Sequence, residues 1–205
     1  MLPNQSSSAY IQALLHKAFE NIPPVFFEQP VINIIDYGSG QAIGTMCYVD
    51  FLKHNDYPQI INKVTLFEPS ENNLKLAALH VSKICPDAEI ITINKCFEDL
   101  DDEDIVCDEI IPTLHILYDL DWKFDLGNFA QVISDNLKGY NQFVCVGPCF
   151  NDPIADGLVD DFAEFFYIND KEDNYIKIFS EFELDPNELW SAHIRCFSVG
   201  NKLLL

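Results

Sequence analysis

The chain has 205 residues, 48% of them apolar, enough for one sizeable core and short for two independently packed ones. Its 33 acids against 12 bases give a formal charge of −21, a field that repels phosphate backbones and anionic lipid, so direct nucleic-acid or membrane binding is not expected. No apolar run reaches the roughly 18 residues of a membrane span, and the start MLPNQSSSAY lacks the basic and apolar parts of a signal peptide, so the expected setting is cytoplasmic.

Residues 1–30 read as a helical cover segment and 31–205 as the main domain. A helix is predicted over Ser8 to Asn21, with Ile11, Leu14, Leu15, Ala18 and Phe19 at helical spacing, before Pro23, Pro24 and Pro30 end it. Strands and helices then alternate. Val31 to Asp36 is an apolar strand, Ile43 to Lys53 a helix, Val64 to Phe67 a strand, and Ser70 to Ile84 a helix with Leu74, Ala77, Ala78 and Val81 on one face. Further strands are predicted at Glu89 to Ile93, Thr113 to Leu117 and Gln142 to Gly147, with a helix from Leu126 to Leu137. Such spacing is the pattern of a parallel sheet covered on both faces.

The last fifty residues break this rhythm. A helix within Asp156 to Ile168 is followed by NYIKIFSEFEL and SAHIRCFSVG, two strand-like runs joined by DPNELW, too short a link for a crossover helix. They should form an antiparallel pair. The expected fold is doubly wound α/β: a mostly parallel seven-stranded sheet with a C-terminal antiparallel hairpin and helices on both faces.

The segment VINIIDYGSGQAIGT carries the most functional information. Gly38 and Gly40 follow the first strand directly, where glycine permits a sharp turn and a close approach by another molecule. Asp36 ends the strand, placed to accept hydrogen bonds from the loop or a ligand, and Ala42 is a third small residue that allows close helix packing. Glu68 ends the second strand, beside the glycine loop in a doubly wound sheet, where a carboxylate can accept both hydroxyls of a ribose. The plainer alternative is that the glycines serve only the turn and that Glu68 favours a helix start through its dipole.

Taken together, IIDYGSGQAIG and VTLFEPSENNLKLAALH resemble the glycine-rich first motif and the acid-ended second strand of S-adenosylmethionine-dependent methyltransferases with a Rossmann-like fold. The similarity extends over about Val31 to Gly200 and includes the hairpin, whose last strand in that family inserts antiparallel beside the fifth. The resemblance implies S-adenosylmethionine as cofactor. Asp36 and the backbone of Tyr37, Gly38 and Gly40 would surround its methionine part, and Glu68 would bind the ribose hydroxyls. After the third strand, Cys96 replaces a polar residue common in the family, leaving Phe97 to flank the adenine and Glu98 or Asp99 to reach its amino group.

For the acceptor side, LYDLDW matches neither the asparagine-proline-proline-aromatic motif of base-amino methyltransferases nor the proline-cysteine nucleophile of the cytosine type. Tyr118, Asp119 and Asp121 are the candidates for orienting a substrate and assisting proton loss, with a small molecule or a protein side chain as acceptor. His80, His115 and His193 read as satisfied structural histidines, and Cys149 as a buried inert thiol.

The seven cysteines, odd in number and widely spaced, read as free thiols, and Cys145 with Cys149 lacks the second ligand pair of a metal site. The run EDLDDEDIVCDE, with eight acids and no base, reads as a solvated loop and helix edge, or alternatively as a cation-binding stretch or a docking face for a basic protein partner. Two other functions stay open: a catalytically inactive methyltransferase-like scaffold that binds a protein, with or without cofactor, and a nicotinamide oxidoreductase, which the hairpin disfavours.

Overall fold

The structure, a computed structural model, describes residues 5–118, 126–148, 159–166, 178–185 and 188–200. The chain opens with α1 (Gln5–Phe19) and a single-turn α2 (Pro24–Phe27). It continues through β1 (Val31–Tyr37), α3 (Ile43–His54), β2 (Ile60–Phe67), α4 (Glu71–Ile84), β3 (Glu89–Ile93) and β4 (Thr113–Tyr118). Next come α5 (Leu126–Asn136), β5 (Tyr140–Pro148), a helix α6 over 159–166, and the strands β6 (Ile178–Asp185) and β7 (Glu188–Gly200).

All described strands join one seven-stranded sheet in the order β3-β2-β1-β4-β5-β7-β6. The first five run parallel, and β7 lies antiparallel between β5 and β6. The order reverses between β1 and β4, so the carboxyl ends of these central strands border the crevice where open α/β sheets bind ligands.

Two cores follow from the period of two along the central strands. Ile32 and Ile34 face one core with Leu114, Ile116 and the apolar faces of α1, α3 and α4, while Ile35 faces a second with Leu117, Phe129 of α5 and Phe162 of α6. Helix α4 shows how local sequence meets this demand: Ser70 caps its start, Glu71 suits the first-turn dipole, and Leu74, Ala77 and Val81 turn inward. In α1, Leu14, Leu15, Ala18 and Phe19 are buried in the first core. Across the second core runs a stack of rings from five strands, Phe67, Tyr37, His115, Phe143 and Phe197, with successive centroids 5.2, 5.9, 4.2 and 4.8 Å apart.

Three boundaries depart from the sequence reading. The proline pair does not simply end a helix: Pro24 starts α2, because proline suits the first turn, where its missing N–H costs nothing. Strand β2 begins at Ile60 rather than Val64, since its first residues pair with β1 while staying partly exposed. Glu188 to Trp190, read as part of a connection, already belongs to β7, whose pairing with β6 continues to Asp185 opposite Glu188. The helix expected within Asp156 to Ile168 is present over 159–166, and its flanks lie outside the described residues. Among the described residues no helix is long and apolar enough to cross a membrane.

Candidate functional site

Beyond β1 the backbone turns sharply, with φ of +63° at Gly38, +53° at Gly40 and +65° at Ala42. Left-handed backbone is natural for glycine and costs about 1 kcal/mol or more for a residue with a Cβ. Among the described residues, a Cβ added to Gly40 would meet only the Tyr118 hydroxyl, at 3.9 Å, so their packing leaves the space over this residue open. Gly44 is different: a Cβ there would lie 2.9 Å from Ile116 Cγ2 and 3.0 Å from Tyr118 Cε1. The close helix-to-strand approach assigned to Ala42 therefore belongs to Gly44, while Ala42 makes the left-handed step into α3.

Three side chains fasten this loop. Glu68, at the end of β2, accepts the Gly40 N–H through Oε2 at 3.0 Å and the Ser70 N–H through Oε1 at 2.9 Å. The hydroxyl of Tyr118, at the end of β4, donates to the Ser39 carbonyl at 2.8 Å, and the Ser39 N–H donates to the Phe67 carbonyl at 2.8 Å. From α4, His80 Nδ1 stands 3.0 Å from the Gln41 carbonyl. Asn94, after β3, donates from its Nδ2 to the Glu68 and Pro69 carbonyls, both at 2.9 Å, which holds the next turn in place.

Asp36 completes the floor. Helix α3 has no capping side chain of its own at Ala42. Asp36 Oδ2 fills that role, accepting the Thr45 N–H at 3.0 Å and the Thr45 hydroxyl at 2.8 Å. Its other oxygen, Oδ1, is buried with no hydrogen-bond partner among the described residues, as is Ser39 Oγ. Burial pushes the Asp36 carboxyl up to about 7, against the two Thr45 hydrogen bonds, with the nearby Glu68 carboxylate adding to the rise. A buried acceptor without a partner is costly, and a carboxylate held this way gains from a cationic or hydrogen-bonding ligand.

The structure thus brings Asp36, Tyr37, Gly38, Gly40, Glu68 and Tyr118 to adjoining strand ends. Tyr37 contributes only backbone there, because its ring lies in the second core. Phe97 and Glu98 follow β3 in a single 3-10 turn; Phe97 is half-buried against Phe129, with ring centroids 4.8 Å apart, and Glu98 is exposed. Asp119, Asp121, Cys149 and the side chain of His193 lie outside the described residues.

Tyr118 is buried, and burial raises its phenol pKa well above the usual value, with Asp36 adding to the rise and the Gly44 and Ile43 amides opposing it. His115 is fully engaged. Its Nδ1 is 3.1 Å from the Tyr37 hydroxyl and its Nε2 is 3.0 Å from Asn141 Oδ1. Burial pushes its pKa down to about 4, against the Asn141 hydrogen bond, so the ring is neutral at pH 7.

Thr45, Ser39 and Asn94 contribute to the site without having been singled out by sequence, whereas His80, read as a satisfied structural histidine, meets the Gln41 carbonyl. Thr45, at the third position of α3 after an acid-ended strand, carries the clearest signal, since a hydroxyl there can meet that acid. Among the described residues no group of three or more histidines, cysteines or acids could hold a metal ion.

No known family profile matches the chain, and no curated protein matches it in sequence. Solved structures match across nearly its whole length. An rRNA methylase from Streptococcus thermophilus superposes with a TM-score of 0.52 at 15% identity, covering 98% of this chain and 99% of its own. Geranyl diphosphate methyltransferase, solved in complex with SAM, gives 0.55 at 9% identity, covering 96% and 92%. The StiE O-MT gives 0.60 at 10% identity, covering 91% and 73%. The fold is the Rossmann-like fold of the S-adenosylmethionine-dependent methyltransferases.

Proposed function

We propose that this chain binds S-adenosylmethionine over the loop from Gly38 to Ala42 and transfers its methyl group to a small molecule or a protein side chain. The observation that carries the reading is the open, left-handed glycine loop flanked by the carboxylates of Asp36 and Glu68 at the switch point of the sheet. The fold match to enzymes solved with SAM or with sinefungin supports the same ligand class.

When bound, the cofactor supplies an electrophilic methyl group on a positively charged sulfur. This chain's residues supply the rest. Asp36, with one buried oxygen uncommitted, would hold the cationic methionine end together with the backbone of Tyr37, Gly38 and Gly40. Each oxygen of Glu68 accepts one backbone N–H and keeps a further lone pair for a ribose hydroxyl. Phe97 and Glu98 stand on the adenine side. Asp119 and Asp121, directly after β4, would orient the acceptor and take its proton, while much of the rate comes from alignment.

The formal charge of −21 argues against an RNA acceptor, although one structural neighbour is an rRNA methylase. It suits an uncharged or cationic small molecule, or a side chain on a basic protein that meets the acidic run from Glu98 to Glu109. The described cysteines are free, five buried and Cys96 exposed, in keeping with a reducing, cytoplasmic setting.

Thermal melting with S-adenosylmethionine, S-adenosylhomocysteine and NAD in parallel tests the reading. It requires a saturable rise in melting temperature with the first two ligands and none with NAD. A rise with NAD alone would replace it with a nicotinamide oxidoreductase.

A further inference from the structure

We infer that Tyr118 is a positioning residue, one that sets the shape of the cofactor loop through its hydroxyl and not by touching the methyl acceptor. The inference rests on the cofactor reading above. Tyr118 ends β4, which pairs directly with β1, and the register places Leu117 opposite Tyr37, so residue 118 stands beside the start of the loop. Its side chain belongs to the core under α3 and is 6% exposed.

From that position one ring does two things. Its hydroxyl donates to the Ser39 carbonyl at 2.8 Å, the same oxygen that accepts the Ala42 N–H at 2.6 Å across the turn. Its edge fills the space against Gly44, where a Cβ would come within 3.0 Å of Cε1. Tyr118 therefore spans the distance between the middle of the glycine loop and the first turn of α3. That distance sets where the N–H groups of the loop sit relative to a ligand.

A phenol buried in this way remains protonated, which suits a donor and not a proton acceptor. Loss of the hydroxyl leaves the ring in place and frees the Ser39 carbonyl from one of its two donors. The loop then samples more conformations, and ligand binding must pay the cost of ordering them.

The test is calorimetric titration with S-adenosylhomocysteine of the wild-type chain, Tyr118→Phe and Tyr140→Phe, with a thermal melt of each. Tyr140 provides the matched control, since its hydroxyl lies 2.6 Å from Ser198 Oγ at the amino end of β5, away from the loop. Tyr118→Phe should weaken binding roughly fivefold, the size expected for one hydrogen bond, and speed amide exchange at Ala42. Tyr140→Phe should lower the melting temperature and leave the affinity unchanged. Wild-type affinity in Tyr118→Phe, whatever its melting temperature, overturns the positioning role. Absence of binding by the wild-type chain itself overturns the cofactor reading and this inference with it.

Discussion

Strands β1 and β4 lie side by side and send alternate residues to two cores, and the polar groups they bury there are treated in opposite ways. On the face under α5 and α6, Tyr37, His115 and Asn141 form a chain of hydrogen bonds inside a stack of rings, and His115 has both nitrogens engaged. On the face under α3, Asp36, and Ser39 in the loop that follows it, each keep a buried oxygen without a partner among the described residues, beside left-handed backbone. The strands and the depth are shared; the α5 side also buries Thr113 Oγ1 without a partner among the described residues, but only on the α3 side do such atoms stand beside the left-handed loop. A completed network rigidifies a core, whereas an incomplete one beside an open loop marks where another molecule is received.

The strongest way to break this contrast is to remove the charge from Asp36. Its folded pKa is raised from 3.8 to about 7, so its contribution to stability is fully present below about pH 4 and is lost as pH rises through 7. Asp36→Asn lacks that loss. Relative to the wild type, the variant should gain stability between pH 4 and pH 8 by roughly 4 kcal/mol, at about 1.4 kcal/mol per pH unit, while losing affinity for S-adenosylhomocysteine. Urea denaturation across that range measures the gap, and a gap independent of pH would mean the carboxylate carries no burial cost.

The engaged His115 network predicts the opposite slope. His115 has its pKa depressed from 6.5 to about 4, so the unfolded chain takes up a proton that the native ring refuses. Stability is fully present above about pH 6.5 and is lost toward pH 4, by about 3 kcal/mol. His115→Gln should be less stable at neutral pH and lack that acid loss, as read from the difference between the two denaturation profiles.

Gly40→Val comes next, because a β-branched residue at φ +53° is strained and would fill the space over the loop. It should reduce S-adenosylhomocysteine affinity roughly 100-fold, near 2.7 kcal/mol by the usual conversion, with the far-UV dichroism spectrum retained. Tyr140→Phe is the smallest change, costing about 1 kcal/mol of stability for a single hydrogen bond and nothing in binding.

Much of this was legible in the chain because it depends on local pattern. The alternation of apolar runs and helical stripes gave the strands, and the short link before SAHIRCFSVG gave the antiparallel ending. IIDYGSGQAIG and Glu68 pointed to the candidate site because a turn requiring glycine and an acid ending the neighbouring strand are both local features. What escaped depended on tertiary contact. Ile60 to Lys63 looks too polar for a strand, yet it pairs with β1 through its backbone. Glu68 appeared poised for a ligand, and only the folded loop shows it also accepting the Gly40 N–H. Tyr118 read as an acceptor-side residue from its place after an apolar run, but the sheet register turns its hydroxyl to Ser39. Thr45 is an ordinary helix residue until Asp36 meets it in the fold.

Calorimetric titration of S-adenosylhomocysteine into the wild-type chain and Gly40→Val asks whether the loop at the end of β1 is a cofactor site. Saturable one-to-one binding by the wild type is expected, with affinity falling about 100-fold in the variant. Equal binding by both chains would place the ligand elsewhere, and no heat from either at millimolar ligand would mean that the loop receives no such cofactor.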